Sequence, residues 1–195
     1  PYPQPAMPEG VEEGILRGLY KYQSAEKPRS DVTVNLLGSG TILNQVIAAK
    51  SILEDQFDIP ANVFSVTSYK ELYWDALNAE RWNLLHPGEE RREPYVTQLL
   101  GGTGAACVAA SDYVTMLPAS ISKWIPGPVQ YIGTEGFGRS EYRETLRDFI
   151  EVDARYIVLA ALKALAGDGR IKPGVVEKAI KDLNINPDKK NPLKD

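Results

Sequence analysis

The chain reads as an α/β domain of three layers (α/β/α), with helices on both faces of a mixed five-stranded sheet in which one strand is antiparallel. Three observations lead there. Short β-like runs at residues 18–23, 32–38, 62–66, 106–110 and 128–133 are spread along the whole chain rather than clustered. Helical periodicity fills much of the space between them. One run, Ala106 to Ala110, consists of small apolar residues, as a strand buried on both faces requires.

The elements follow in order. PYPQPAMPEG opens the chain with prolines that fix φ and remove backbone donors, so residues 1–8 are expected to run extended as a linker. Glu9 to Ile15 carries acidic residues suited to a helix amino terminus, and Gly14 and Gly18 limit it to about two turns. Leu19 to Tyr22 reads as β, SAEKPRS as a turn-rich connection, and Val32 to Leu37 as the returning strand, which together predict a hairpin. Gly38-Ser39-Gly40 breaks that strand and Thr41 is placed to cap a helix carrying Ile42, Val46, Ala49, Leu53 and Phe57. Asp58-Ile59-Pro60 ends it. Asn62 to Val66 is the next strand, and Thr67 or Ser68 caps a helix bearing Leu72 and Leu77. This β-α-β unit implies parallel pairing through a right-handed crossover.

From Arg81 to Gly104 the pattern dissolves among prolines, glycines and charges, and Tyr95 to Leu100 fits a short helix or a strand equally. Asp112 is a cap candidate after the fourth strand. The last strand, PVQYIGT, breaks into Glu135-Gly136-Phe137-Gly138-Arg139-Ser140, polar and aromatic groups among glycines at a strand's carboxyl end, where open α/β sheets meet ligands and partners. Helices over 153–166 and 173–183 follow, the second with Val176, Ala179, Ile180 and Leu183 on one stripe. The tail from Asn186 is expected to be loosely ordered, giving a domain over 9–186 and a flexible tail over 187–195.

Composition narrows the partners. A chain of 195 residues that is 43% hydrophobic can bury one core without disulfides or metals. A net charge of −4 with interspersed signs offers no field for nucleic acid or an anionic membrane. The single Cys107 sits in an apolar run, excludes an internal disulfide, and suits a reducing, cytoplasmic setting. No apolar stretch reaches the ~20 residues that span a bilayer.

The chemical inventory is thin. His86 is the only histidine, precedes a proline, and has no serine or thiol near it in sequence, so a structural or domain-contact role is expected rather than catalysis. Transition-metal sites draw on several His and Cys ligands, which are not available here. LLGSGTILNQV is a strand, glycine turn and helix start that can in principle hold an anion. It lacks the third glycine of a dinucleotide fingerprint and the lysine of a P-loop. Trp82 and Trp124 read as core or interface aromatics.

Taken together, MPEGVEEGILRGLYKY, NLLGSGTILNQV, VFSVTSYKEL, ERWNLLHP, VAASDY and GTEGFGRSEYRETLRDFIEVDARYIVLAALKAL form a specific set. In this order and spacing, over residues 7 to 187, the chain resembles the carboxyl-terminal domain of the homodimeric pyruvate dehydrogenase decarboxylase family. The resemblance implies a transketolase carboxyl-terminal-like fold, a helical turn at 95–100, and a parent several times longer of which this is a piece. It implies that thiamine diphosphate and Mg2+ serve the full-length enzyme and are held by the preceding domains, not by this one. No catalytic, cofactor-binding or metal residue is then expected here. Arg81, His86, Glu135, Phe137 and Arg139 are candidates for contact with neighbouring domains or the mouth of the active-site channel. The implied partners are the preceding domains, a second subunit, and the dihydrolipoyl acetyltransferase component. Glu135 stands where the family commonly has aspartate, and Gly101 to Gly104 is richer in glycine than the family pattern. The alternative is an autonomous flavodoxin-like module holding an anion or nucleotide at Gly38-Ser39-Gly40.

Overall fold

A computed structural model describes residues 6–136 and 138–194; residues 1–5 of the proline-rich opening, Phe137 and Asp195 lie outside the described residues. Five strands form one sheet in the order β1-β3-β2-β4-β5: β1 Leu19–Gln23, β2 Val34–Ser39, β3 Ala61–Val66, β4 Ala106–Ala110 and β5 Val129–Ile132. Pairing of β2 with β3, β2 with β4 and β4 with β5 is parallel, and β1 runs antiparallel to β3. The three layers and the mixed sheet are as expected.

The expected hairpin is not present. β3 lies between β1 and β2, so the two strands consecutive in sequence never pair. The connection from Ser24 to Thr33 is long enough to pass the amino end of β3, and it is fastened there. The Ala25 N–H donates to Asn62 Oδ1 at 3.0 Å and the Glu26 N–H to Glu54 Oε1 at 3.2 Å. Val32 and Thr33, expected in the strand, donate their N–H groups to Arg29 O in a turn, which delays β2 to Val34.

Helix α1 Glu12–Arg17 starts later than expected, after a turn at Gly10 with φ 74°, and stops at Gly18, whose φ of 96° only glycine adopts freely. Helix α2 Leu43–Phe57 ends in a left-handed Asp58. Helix α3 Tyr69–Leu85 is capped as expected, with Ser68 Oγ accepting from the Glu71 N–H at 3.2 Å. Residues 95–100 resolve as helix α4 Tyr95–Leu100. Short α5 Met116–Ala119 and α6 Arg143–Phe149 follow. In α7 Ala154–Gly167, the Asp153 carboxylate caps by accepting from the Arg155 and Tyr156 N–H groups; α8 Pro173–Asp182 begins on proline at its first turn.

Strand alternation divides the core. Val34, Leu36, Val63 and Val108 face α2, α7 and α8 through Val46, Leu53, Ile157, Leu162 and Ala179. Leu37, Phe64, Cys107 and Ala109 face the other way, onto Tyr69 and Leu72 of α3, Val96 and Leu100 of α4, and Ile121 and Ile125.

At the amino ends of the strands a buried polar cluster holds the loops. Asn62 Nδ2 donates to Asn35 Oδ1 at 3.0 Å and to Thr103 O at 2.9 Å, and Asn35 Nδ2 donates to Thr103 Oγ1 at 2.9 Å. This accounts for the glycine-rich segment: a Cβ on Gly104 would lie 2.9 Å from the Asn35 side-chain atoms. Asn62→Leu removes all three Asn62 bonds and orphans the Ala25 N–H, the Asn35 Oδ1 and the Thr103 carbonyl. We expect a loss of ~3 kcal/mol in denaturant unfolding, from orphaned groups costing about 1–3 kcal/mol each; an unchanged midpoint would refute the role of the cluster.

Candidate functional site

In an open α/β sheet the crevice for a ligand opens at the carboxyl ends of the strands where connections diverge to either side. Here that point lies between β2 and β4, because β2 is followed by β3 on one side while β4 lies on the other. Ser39 Oγ donates to Ser111 Oγ at 2.9 Å across this gap, both residues being buried, and Ser111 Oγ accepts from the Tyr113 N–H at 3.1 Å. One layer outward, Thr41 Oγ1 donates to Asp112 Oδ2 at 2.8 Å. Thr41 and Asp112 are therefore bonded to one another and neither caps a helix. A single turn of 3-10 helix, Gly40–Ile42, precedes α2 instead.

This arrangement bears on the anion reading. A phosphate at a strand-to-helix turn uses free amides and hydroxyls with no competing negative charge. Here the hydroxyl is committed and a carboxylate stands at the mouth. The Gly38 backbone is also packed against α2, since a Cβ there would lie 2.9 Å from both Leu43 Cα and Val46 Cγ2. Among the described residues no group of three or more His, Cys, Asp and Glu side chains is placed to hold a metal ion. At this gap the committed Thr41 hydroxyl and the Asp112 carboxylate disfavour a bare anion.

The candidate contact residues fall at opposite ends of the sheet. Helix α3 follows β3 and returns antiparallel to it over 17 residues, about 25 Å. Arg81 and His86 therefore lie toward the amino ends of the strands. His86 Nδ1 lies 3.0 Å from Trp82 O, and its ring stacks on Trp82 at 3.6 Å between centroids and 13° between planes. Arg92 packs on the same indole at 3.4 Å, with its backbone held in both directions by the Asn83 side chain. His86 is thus half-buried in a stack that closes the end of α3. Arg81 is exposed on the helix.

Glu135 and Arg139 lie beyond the carboxyl end of β5. Glu135 Oε1 accepts from the Thr115 N–H at 2.7 Å and from the Thr115 hydroxyl, tying the loop after β5 to the start of α5. Those bonds, the hydroxyl's first and the amide's second, hold the Glu135 carboxyl below the usual glutamate range. Arg139 lies 4.3 Å over the Phe149 ring. Phe137 is outside the described residues.

Sequence reasoning missed Thr115, which carries no local mark of its pairing with a residue 20 positions away. It also missed Lys189. Its ammonium donates to the carbonyls of Asp148 and Phe149 at the end of α6 and to the Tyr156 hydroxyl, with Glu151 at 3.6 Å. Cys107 is fully buried, and burial pushes its thiol up to about 12.

Fold and site together define a three-layer α/β/α domain whose ligand crevice is closed by its own side chains. Residues 18–153 match the transketolase-like TK C-terminal domain, and the chain belongs to that family. Its relatives include the pyruvate dehydrogenase E1 component of Pseudomonas aeruginosa, 47% identical over 193 residues, which make up 98% of this chain and 22% of that protein. The pyruvate dehydrogenase E1 component of Escherichia coli K12 is 45% identical over 192 residues, 98% of this chain and 21% of that protein. The chain thus spans about a fifth of the length of these relatives. Among solved structures, a transketolase from Leishmania mexicana superposes with a TM-score of 0.53 at 17% identity, over 84% of this chain and 20% of that one. A split-gene transketolase, described as an inactive β4 tetramer, gives 0.52 at 17% identity over 77% of this chain and 43% of that one. These two show the same fold.

Two expectations follow from the site. The Glu135 folded value lies below the unfolded one, so its fastening is complete above the ordinary glutamate range and is lost as pH falls through the lowered folded value. Side-chain carbonyl NMR should give a depressed Glu135 midpoint that Thr115→Val moves back upward; an unmoved midpoint contradicts the assignment. Cys107 should resist a thiol reagent at neutral pH in the native chain and react fully in denaturant, and rapid native labelling contradicts its burial.

Proposed function

We propose that this chain is the carboxyl-terminal, non-catalytic domain of a pyruvate dehydrogenase of the acetyl-transferring type. The observation that carries the reading is 45–47% identity to pyruvate dehydrogenase E1 components across 98% of this chain. In this reading the full-length enzyme decarboxylates pyruvate on thiamine diphosphate with Mg2+ and reductively acetylates lipoyl groups of the acetyltransferase component. It acts in the cytoplasm as a homodimer. This domain holds neither the cofactor nor the substrate and serves by packing against the preceding domains and shaping the approach to their active site.

Two features of the surface support a packing role. The outward side of α3 presents Trp74 at 50% exposure, Leu77 at 40% and Leu84 at 78%, apolar groups at helical spacing that favour a covered face. The Ser39–Ser111 and Thr41–Asp112 bonds across the β2–β4 gap commit the hydroxyls that an anion would use. Arg81 and His86 at one end of the sheet, and Glu135 and Arg139 at the other, are proposed as two separate contact regions. Glu135 acts in its region by fixing the loop that carries Arg139.

Isothermal titration of the 195-residue chain tests this reading. We expect no heat with thiamine diphosphate plus Mg2+, none with nucleotides, and no carbon dioxide release from pyruvate. Saturable nucleotide or phosphate binding would favour the autonomous flavodoxin-like module instead, and turnover of pyruvate by the chain alone would overturn the reading.

A further inference from the structure

Among the described residues, the edge of the sheet opposite β1 is open, and β5 pairs with β4 on one side only. The Pro128 and Ile132 carbonyls accept from the Cys107 and Ser111 N–H groups, so the even-numbered residues of β5 turn their backbone toward β4 and the odd-numbered ones turn theirs outward. The outward Val129 carbonyl is covered by Gln130 Nε2 at 3.2 Å. The N–H and C=O of Tyr131 have no partner among the described residues.

Beside this rung lies a slot of about 550 Å³, within the range of built ligand sites. It is lined by Tyr131, Ile132 and Gly133 at the end of β5, by the apolar Ile150 and Leu159, and by Lys189 and Pro192 of the terminal segment. Its charges do not balance. Glu135 and Glu151 both line the slot against the single cation Lys189. That ammonium is already committed to Glu151, the two carbonyls ending α6 and the Tyr156 hydroxyl. Glu135 uses only Oε1 on Thr115, and its Oε2 has no partner among the described residues.

We propose that this slot binds a short extended peptide bearing a lysine or arginine, which adds a strand to β5. The peptide backbone pairs with the N–H and C=O of Tyr131, its cation meets Glu135 Oε2, and its apolar neighbours rest on Ile150 and Leu159. Strand addition gives affinity through main-chain hydrogen bonds and specificity through alternate side chains, and both parts are present here. A simple amine would use the carboxylate and leave the open rung unpaired.

The test is amide NMR of the labelled chain titrated with three probes: acetyl-Val-Lys-Val-amide, acetyl-Val-Glu-Val-amide, and the lysine peptide methylated at every peptide nitrogen. Saturable shifts are expected at Tyr131, Gly133 and Thr115. The lysine peptide should bind at least about tenfold more tightly than either other probe, as the loss of one charge-assisted bond or of the backbone pair implies. Glu135→Gln still has an oxygen to accept from Thr115, and it should abolish the preference for lysine over glutamate. The proposal is overturned by an absence of saturable shifts at Tyr131, by equal binding of the lysine and glutamate peptides, or by undiminished binding of the methylated one. The comparison among peptides is made on the unaltered chain, so it stands whether or not the variant folds.

Discussion

Between the carboxyl ends of β2 and β4, two buried serine hydroxyls share a hydrogen bond, and one layer outward a threonine hydroxyl is held by a carboxylate. In sheets of this kind that gap is where a ligand would enter. Burying two hydroxyls costs little only if each has a partner, so opening the pair would leave the Ser39 hydroxyl unsatisfied and Ser111 with only the Tyr113 amide. Asp112 adds a fixed negative charge where a phosphate would sit. The fold retains the geometry of a binding sheet while its own side chains bond to one another across that position.

The two ends of the sheet are stabilised by different means. At the amino ends, Asn35, Asn62 and Thr103 form a buried network that joins the β1–β2 connection to the segment before β4. At the carboxyl ends the fastening is by charge-assisted contacts nearer the surface, Glu135 to Thr115 and Lys189 to the end of α6. Buried neutral networks give rigidity that varies little with pH, whereas the Glu135 contact weakens once its carboxyl is protonated. The surface end carries the loop with Glu135 and Arg139 that is proposed as a contact region.

Much of this was legible in the sequence, and the limits have physical causes. The strands, the long helices and the Ser68 cap depend on local periodicity and local hydrogen bonds, and they are read close to their observed bounds, whereas Asp153 is read only as the start of its helix and not as its cap. The hairpin was misread because two adjacent β-like runs look alike whether or not a third strand inserts between them; the choice was made by Asn62 capturing Ala25, 37 residues apart. Thr41 and Asp112 each carry the mark of a helix cap, and only the parallel pairing of β2 with β4 brings them together across 71 positions. The same limit applied to the site. Glu135 was found because it stands among glycines at a strand end, and its partner Thr115 was not. Separation of Arg81 and His86 from Glu135 and Arg139 follows from the direction of α3, which depends on the topology of the whole sheet.

Hydrogen bonds between the protein's own side chains span the β2–β4 gap. Amide NMR of the chain titrated with millimolar inorganic pyrophosphate tests this closure most directly, because the Gly38, Gly40 and Ser111 amides report on any anion entering the gap. A closed gap predicts no saturable shift at these positions. Saturable shifts there, sharpened by Asp112→Asn, would contradict the account.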